Sequence, residues 1–157
     1  MKPNIDIADD DRKAVVEILN RLLSDEYVLL TKTRNYHWNV TGPQFNDLHK
    51  FFEKQYDELN DLVDAIAERA RQLGGRAFGT LAEFAKTSRL VEQPGASAAA
   101  AEMLTSLLGD HEAVIRSLRA DIGPVGETHK DVGTQDFLTG VLEKHEKMAW
   151  MLRAFLG

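Results

Sequence analysis

The chain has 157 residues, with 19 Lys plus Arg against 25 Asp plus Glu, and it has no cysteine. That length suits one domain with a real core. The acidic balance argues against a surface that is one nucleic-acid footprint and favours cations as partners. The missing thiols exclude disulfides, thiolate zinc sites and cysteine nucleophiles.

Residues 1–8 read as a short N-terminal tail ahead of a single domain. The start, Met1-Lys2-Pro3-Asn4-Ile5-Asp6, has no apolar run of signal-peptide length. No stretch approaches the roughly 20 apolar residues of a membrane span, so the expected compartment is the cytosol.

Apolar residues at Val15, Ile18, Leu19, Leu22, Leu23, Leu29 and Leu30 recur at helical spacing. They predict a first helix from about Asp9 to Val40, opened by an acid-rich turn that suits the helix dipole and stopped by Thr41-Gly42-Pro43. A second helix carries Phe45, Leu48, Phe52, Leu59, Val63, Ile66, Ala70 and Leu73, and Gly74-Gly75 ends it. In the long connection 76–95, Thr80-Leu81-Ala82-Glu83 has the form of a capping box and predicts a short helix near 81–86. A third helix carries Leu104, Leu107, Leu108, His111, Val114, Ile115, Leu118 and Ile122, and is expected to stop at Gly123-Pro124. The fourth carries Leu138, Val141, Leu142, His145, Met148, Leu152 and Phe155. No strand-like alternation competes. The pattern predicts an all-α four-helix bundle, with a short extra helix in the crossover between helices two and three.

The chemistry concentrates between His37 and Glu68. His49 and Glu53 stand four residues apart, as do Asp64 and Glu68, so each pair shares one helix face. Imidazole and carboxylate together suit iron, manganese or zinc. The two pairs are fifteen residues apart, roughly 22 Å at about 1.5 Å per residue, too far for one ion on one straight helix. An antiparallel copy of the same helix removes the difficulty. His49 with Glu68, and Glu53 with Asp64, both have numbers summing to 117. One two-fold axis near residues 58 and 59 therefore aligns both pairs, giving two shared metal sites per dimer.

Taken alone, His49 with Glu53 would be an ordinary surface pair; the matched sums set it apart. His111 and His145 lie on apolar stripes and read as hydrogen-bonded core histidines. His129 falls in a loop and reads as solvated. Asp57, Glu58 and Asp61 read as a wet helix face, with Asp57 close to the proposed axis.

The run Tyr36-His37-Trp38-Asn39-Val40-Thr41-Gly42, then Phe45 and Leu48-His49, then Asp64-Ala65-Ile66-Ala67-Glu68-Arg69, resembles the signature of the Dps family, the ferritin-like mini-ferritins named as DNA-binding proteins from starved cells. Thr134-Gln135-Asp136-Phe137-Leu138 on the last helix adds to the likeness, which covers nearly the whole chain. The resemblance implies a ferritin-like fold and a hollow shell of twelve subunits with metal centres at two-fold interfaces. It places His37, His49 and Glu53 on one subunit and Asp64 and Glu68 on its neighbour. Many members carry aspartate at the position of Glu53; glutamate keeps the charge and adds a methylene.

The implied activity is ferroxidase: Fe(II) is oxidised by hydrogen peroxide, or more slowly by dioxygen, and ferric mineral is stored in the cavity, protecting the cell from oxidative damage. Zinc and manganese are the expected substitutes. Trp38 would lie near the centre, as a hydrogen-bond donor or radical trap, with interface packing as its alternative role. Acidic pores for ion entry point to Asp121, Glu127, Asp131 and Asp136, with helix capping the competing role for Asp131 and Asp136.

The alternative function is DNA binding and compaction, which would associate the protein with the nucleoid. It needs cationic phosphate contacts, whereas Lys2, Arg12 and Lys13 are offset by Asp6, Asp9, Asp10 and Asp11. Weak or absent DNA binding is therefore expected. A ferritin or di-iron oxygenase with its site inside one bundle would carry Glu-x-x-His, a spacing that occurs nowhere in this chain.

Overall fold

A computed structural model describes residues 2–96 and 98–157. It contains α1 (Asp9–Asn39), α2 (Phe45–Gln72), α3 (Leu81–Thr87), α4 (Ala100–Glu127) and α5 (Val132–Leu156), with no strand among the described residues. α1 packs chiefly on α2 and α4 on α5, forming two helical hairpins.

Each end of the first hairpin has a local cause. Asp9, Asp10 and Asp11 fill the first turn of α1, where carboxylates complement the helix dipole. At the end of α2, Gly75 N–H donates to the Ala70 carbonyl at 3.1 Å and Gly74 N–H to the Arg71 carbonyl at 2.9 Å, the bond pair of a Schellman stop. Gly74 has φ +83°, and a Cβ there would sit 2.7 Å from Cδ of Pro3. Glycine is required twice over: by the left-handed backbone and by the tail crossing it.

The crossover is strapped to α1. Thr80 and Glu83 form the expected capping box of α3, and Phe84 stacks on Tyr27 at 4.3 Å. Asn20 bonds the backbone at Arg76 and Phe78 (3.0 and 2.9 Å). Buried Asp25 accepts from Ser88 Oγ, Arg89 N–H and the Arg89 guanidinium. Lys32 reaches Asp110 at 2.7 Å. These bonds satisfy polar groups that would otherwise be costly to bury.

α4 departs from expectation. It runs through Gly123-Pro124 to Glu127. Proline removes one N–H and its ring crowds the carbonyl four residues back, here that of Ala120, an exposed residue, so water can serve the freed acceptor. Beyond the proline, Val125 is fully buried and anchors the extra turn. Asp131 then caps α5, accepting from Thr134 N–H at 2.9 Å.

Leu19, Leu23, Leu29, Phe52, Leu59, Ile66, Leu107, Leu118, Leu138 and Leu152 fill the bundle interior. Each contributes about 1.5–3 kcal/mol of apolar burial. Three ionisable side chains, all fully buried, interrupt it. His145 Nε2 lies 2.7 Å from Glu26 Oε1, and His145 Nδ1 lies 3.0 Å from His111 Nδ1. The two histidines are core residues bonded to each other, as expected; Glu26 is their unanticipated partner.

Candidate metal centre

His37 ends α1 and His49 opens α2, and the short turn between them brings the two rings face to face. Their centroids are 3.7 Å apart at an interplanar angle of 20°. The Nδ1–H of His37 donates to the backbone carbonyl of His49, and the Nδ1–H of His49 donates to that of His37, both at 2.8 Å. A carbonyl oxygen only accepts, so each Nδ1 must carry the proton. In the neutral rings both Nε2 atoms then keep a lone pair. Fixing a ligand histidine through its other nitrogen is what metal sites do.

His37 is buried and His49 half-buried. Phe45 stacks on His49 with centroids 5.2 Å apart, and Tyr56 meets His37 edge-on at the same separation. Trp38, beside His37, is 70% exposed.

Glu53 follows His49 by one turn, and its carboxylate is exposed. It also acts on Tyr56: the phenol's pKa is raised, first by burial and then by the Glu53 and Asp57 charges. Asp64 and Glu68 project from the far half of the same unbroken helix and are exposed. Among the described residues, no three His, Asp or Glu side chains gather within one chain. The structure joins His37 to His49 and leaves Asp64 and Glu68 as a separate exposed pair.

Just past Glu68, Arg69 ties α2 to α5. Its Nε donates to Thr134 Oγ1 at 2.9 Å and its Nη2 to Asp131 Oδ1 at 3.2 Å. Asp131 is accordingly buried as a cap and ion-pair partner. Among the other pore candidates, Glu127 and Asp136 are exposed, while Asp121 is half-buried and its pKa is raised, chiefly by burial. His129, expected to be solvated, instead pairs with Asp11 at 2.9 Å and is only 20% exposed. The cations near the N-terminus are engaged: Lys2 with Asp9 at 2.6 Å, Lys13 with Asp10 at 3.3 Å, and Arg12 with Asp9.

Tyr56 was not singled out in the sequence, although it lies seven residues from His49 and three from Glu53, on the same helix face. That spacing was the available signal.

A family model for the ferritin-like domain matches residues 16–157. A DNA protection during starvation protein 2 of Bacillus anthracis is 38% identical over 145 residues, covering 92% of this chain and 98% of its own. An uncharacterized low temperature-induced protein of Nostoc is 46% identical over 153 residues, covering 98% of this chain and 86% of its own. Among solved structures, DpsC from Streptomyces coelicolor superposes with TM-score 0.96 at 30% identity, covering 100% of this chain and 91% of that one. A Dps protein from Vibrio cholerae, described as one of the ferritin-like diiron-carboxylate proteins, gives TM-score 0.92 at 26% identity, covering 99% and 97%.

Proposed function

The chain belongs to the Dps family of ferritin-like proteins, and from that premise we propose that it is a ferroxidase and iron-storage protein. Fe(II) is its substrate, hydrogen peroxide its preferred oxidant and dioxygen a slower one. The observation that carries this reading is the locked histidine pair, whose reciprocal bonds keep both Nε2 lone pairs free for a cation.

Each centre takes His37, His49 and Glu53 from one subunit and Asp64 and Glu68 from a two-fold neighbour. The imidazoles arrive neutral and oriented. The carboxylates add negative charge, and hard oxygen donors favour the Fe(III) product over Fe(II). Two Fe(II) held together supply the two electrons that reduce peroxide to water without releasing hydroxyl radical. Zn(II) and Mn(II) fit the same donors.

Twelve subunits close into a shell that keeps the ferric mineral, with Asp121, Glu127 and Asp136 the exposed or half-exposed carboxylates available to draw cations inward. Asp131, held by Arg69 and Thr134, serves instead to fix the start of α5. The protein works in the cytoplasm; no described helix is long and apolar enough to cross a membrane. The cations near its N-terminus are matched by aspartates, which supports weak DNA binding at neutral pH and physiological salt.

An anaerobic Fe(II) titration followed by peroxide tests the reading. Saturable binding and rapid oxidation, both lost in His49→Ala and in Asp64→Ala, support it. Binding that survives both substitutions refutes it.

A further inference from the structure

Arg34 precedes His37 by three residues on α1, so the two side chains share one helix face. Its guanidinium carbon lies 5.1 Å from the centroid of the Tyr56 ring, and that ring in turn meets His37 edge-on. Arginine keeps its charge at every working pH. Arg12, Arg69, Arg76, Arg89, Arg119 and Arg153 each hold a carboxylate; among the described residues Arg34 holds none. Glu53 and Asp57 are near enough to act on the Tyr56 phenol, as Arg34 is, but neither pairs with the guanidinium. Laid over an aromatic ring, a guanidinium keeps its N–H edge free. A fixed cation beside a cation site repels Fe(II), so it does nothing for iron affinity. What its free donors suit is an oxygen that gains negative charge.

We infer that Arg34 sets the preference for peroxide: its N–H groups receive hydrogen peroxide beside the irons and stabilise the oxygens that take up charge as the O–O bond breaks. The balance is two Fe(II), one hydrogen peroxide and two protons from solvent going to two Fe(III) and two waters. Each iron is oxidised by one electron, the O–O bond takes the pair, and Arg34 keeps its own protons. Dioxygen is apolar and accepts hydrogen bonds poorly, so the same guanidinium does little for it. Donors aimed at a developing oxyanion are worth about 10²–10³ in rate in an enclosed site. Arg34 is only half-buried, and water screening brings the expected effect down to about tenfold. The inference rests on the ferroxidase reading and names the residue that selects its oxidant.

Stopped-flow oxidation of Fe(II) by peroxide and by dioxygen tests it, beside anaerobic Fe(II) titration and light scattering on the same assembled samples. Arg34→Gln and Arg34→Met are each expected to slow the peroxide reaction about tenfold and the dioxygen reaction less than about twofold. Assembled mass is kept, and Fe(II) affinity stays equal or rises because a repelling charge is gone. Arg34→Lys keeps the charge and recovers part of the lost peroxide rate. An arginine that only neutralises carboxylates, its own or a neighbour's, changes iron affinity or assembly and treats the two oxidants alike. Equal slowing with both oxidants, lysine no faster than glutamine, or loss of assembly in the variants therefore overturns the inference and leaves the ferroxidase reading standing. A parent that binds Fe(II) and oxidises it with neither oxidant overturns that reading, and the inference with it.

Discussion

His37 and His49 hold each other in place, each ring donating its Nδ1–H to the other's backbone carbonyl at 2.8 Å. Removing either ring therefore deletes one donor and releases one tether of the turn between α1 and α2. His37→Ala and His49→Ala are each expected to lower Fe(II) affinity at least about tenfold. The double variant should lose much less than the sum, because the pair acts as one unit. Anaerobic calorimetry on the three variants checks this; full additivity would show two independent ligands.

The proposed sharing of each centre across a two-fold axis makes a complementation experiment decisive. A His49→Ala subunit paired with an Asp64→Ala subunit has one doubly damaged centre and one intact centre. Co-refolded mixtures should oxidise Fe(II) where neither variant alone does. A mixture as inert as its components would place the donors within one chain.

Trp38 is 70% exposed and Phe45 46% exposed, flanking the histidines on a face that a neighbour would cover. Trp38→Glu puts a charge on that face, and burying an unpaired charge is costly. Light scattering should show a much smaller species for the variant than for the parent. An unchanged mass would show that this face stays open in the assembly.

Full burial, together with the neighbouring His145, pushes the pKa of His111 well below its ordinary value. The unfolded chain protonates this imidazole below about pH 6.5, whereas the folded chain resists. Its contribution is complete above that pH and declines as pH falls below it. Denaturant unfolding between pH 7.5 and pH 5 should lose stability, and His111→Leu should flatten the loss. An equally steep loss in the variant would assign the acid sensitivity elsewhere.

Pro124 lies inside α4. Pro124→Ala restores a helical N–H but loosens the unfolded chain, so a net gain of about 1–2 kcal/mol is expected. Chemical denaturation measures it, and a destabilised variant would show that the proline ring is needed for packing.

Those helices were legible where the signal was local. The aspartates at residues 9–11, the Gly74-Gly75 stop and the Thr80 to Glu83 box each act through neighbouring backbone groups, so sequence spacing captures them. The stop expected at Gly123-Pro124 failed because tertiary burial of Val125 outweighed the local cost of proline. The four-residue spacing of His49 and Glu53 was visible. The stacking of His37 on His49 depends on the angle of the turn between them, which no periodicity encodes. The His129 to Asp11 pair joins residues 118 apart, and such a contact has no signature along the chain.

The buried carboxylate of Glu26 belongs to the first helical hairpin, and the imidazoles that answer it belong to the second. Greasy helix faces alone would tolerate several docking alignments. Here, sliding one hairpin past the other by a single turn would strand the buried Glu26 carboxyl without its imidazole partner, an error costing about 1–3 kcal/mol. The same three side chains that interrupt the oily interior thereby act as its alignment key, admitting one way of closing the bundle and rejecting its near neighbours.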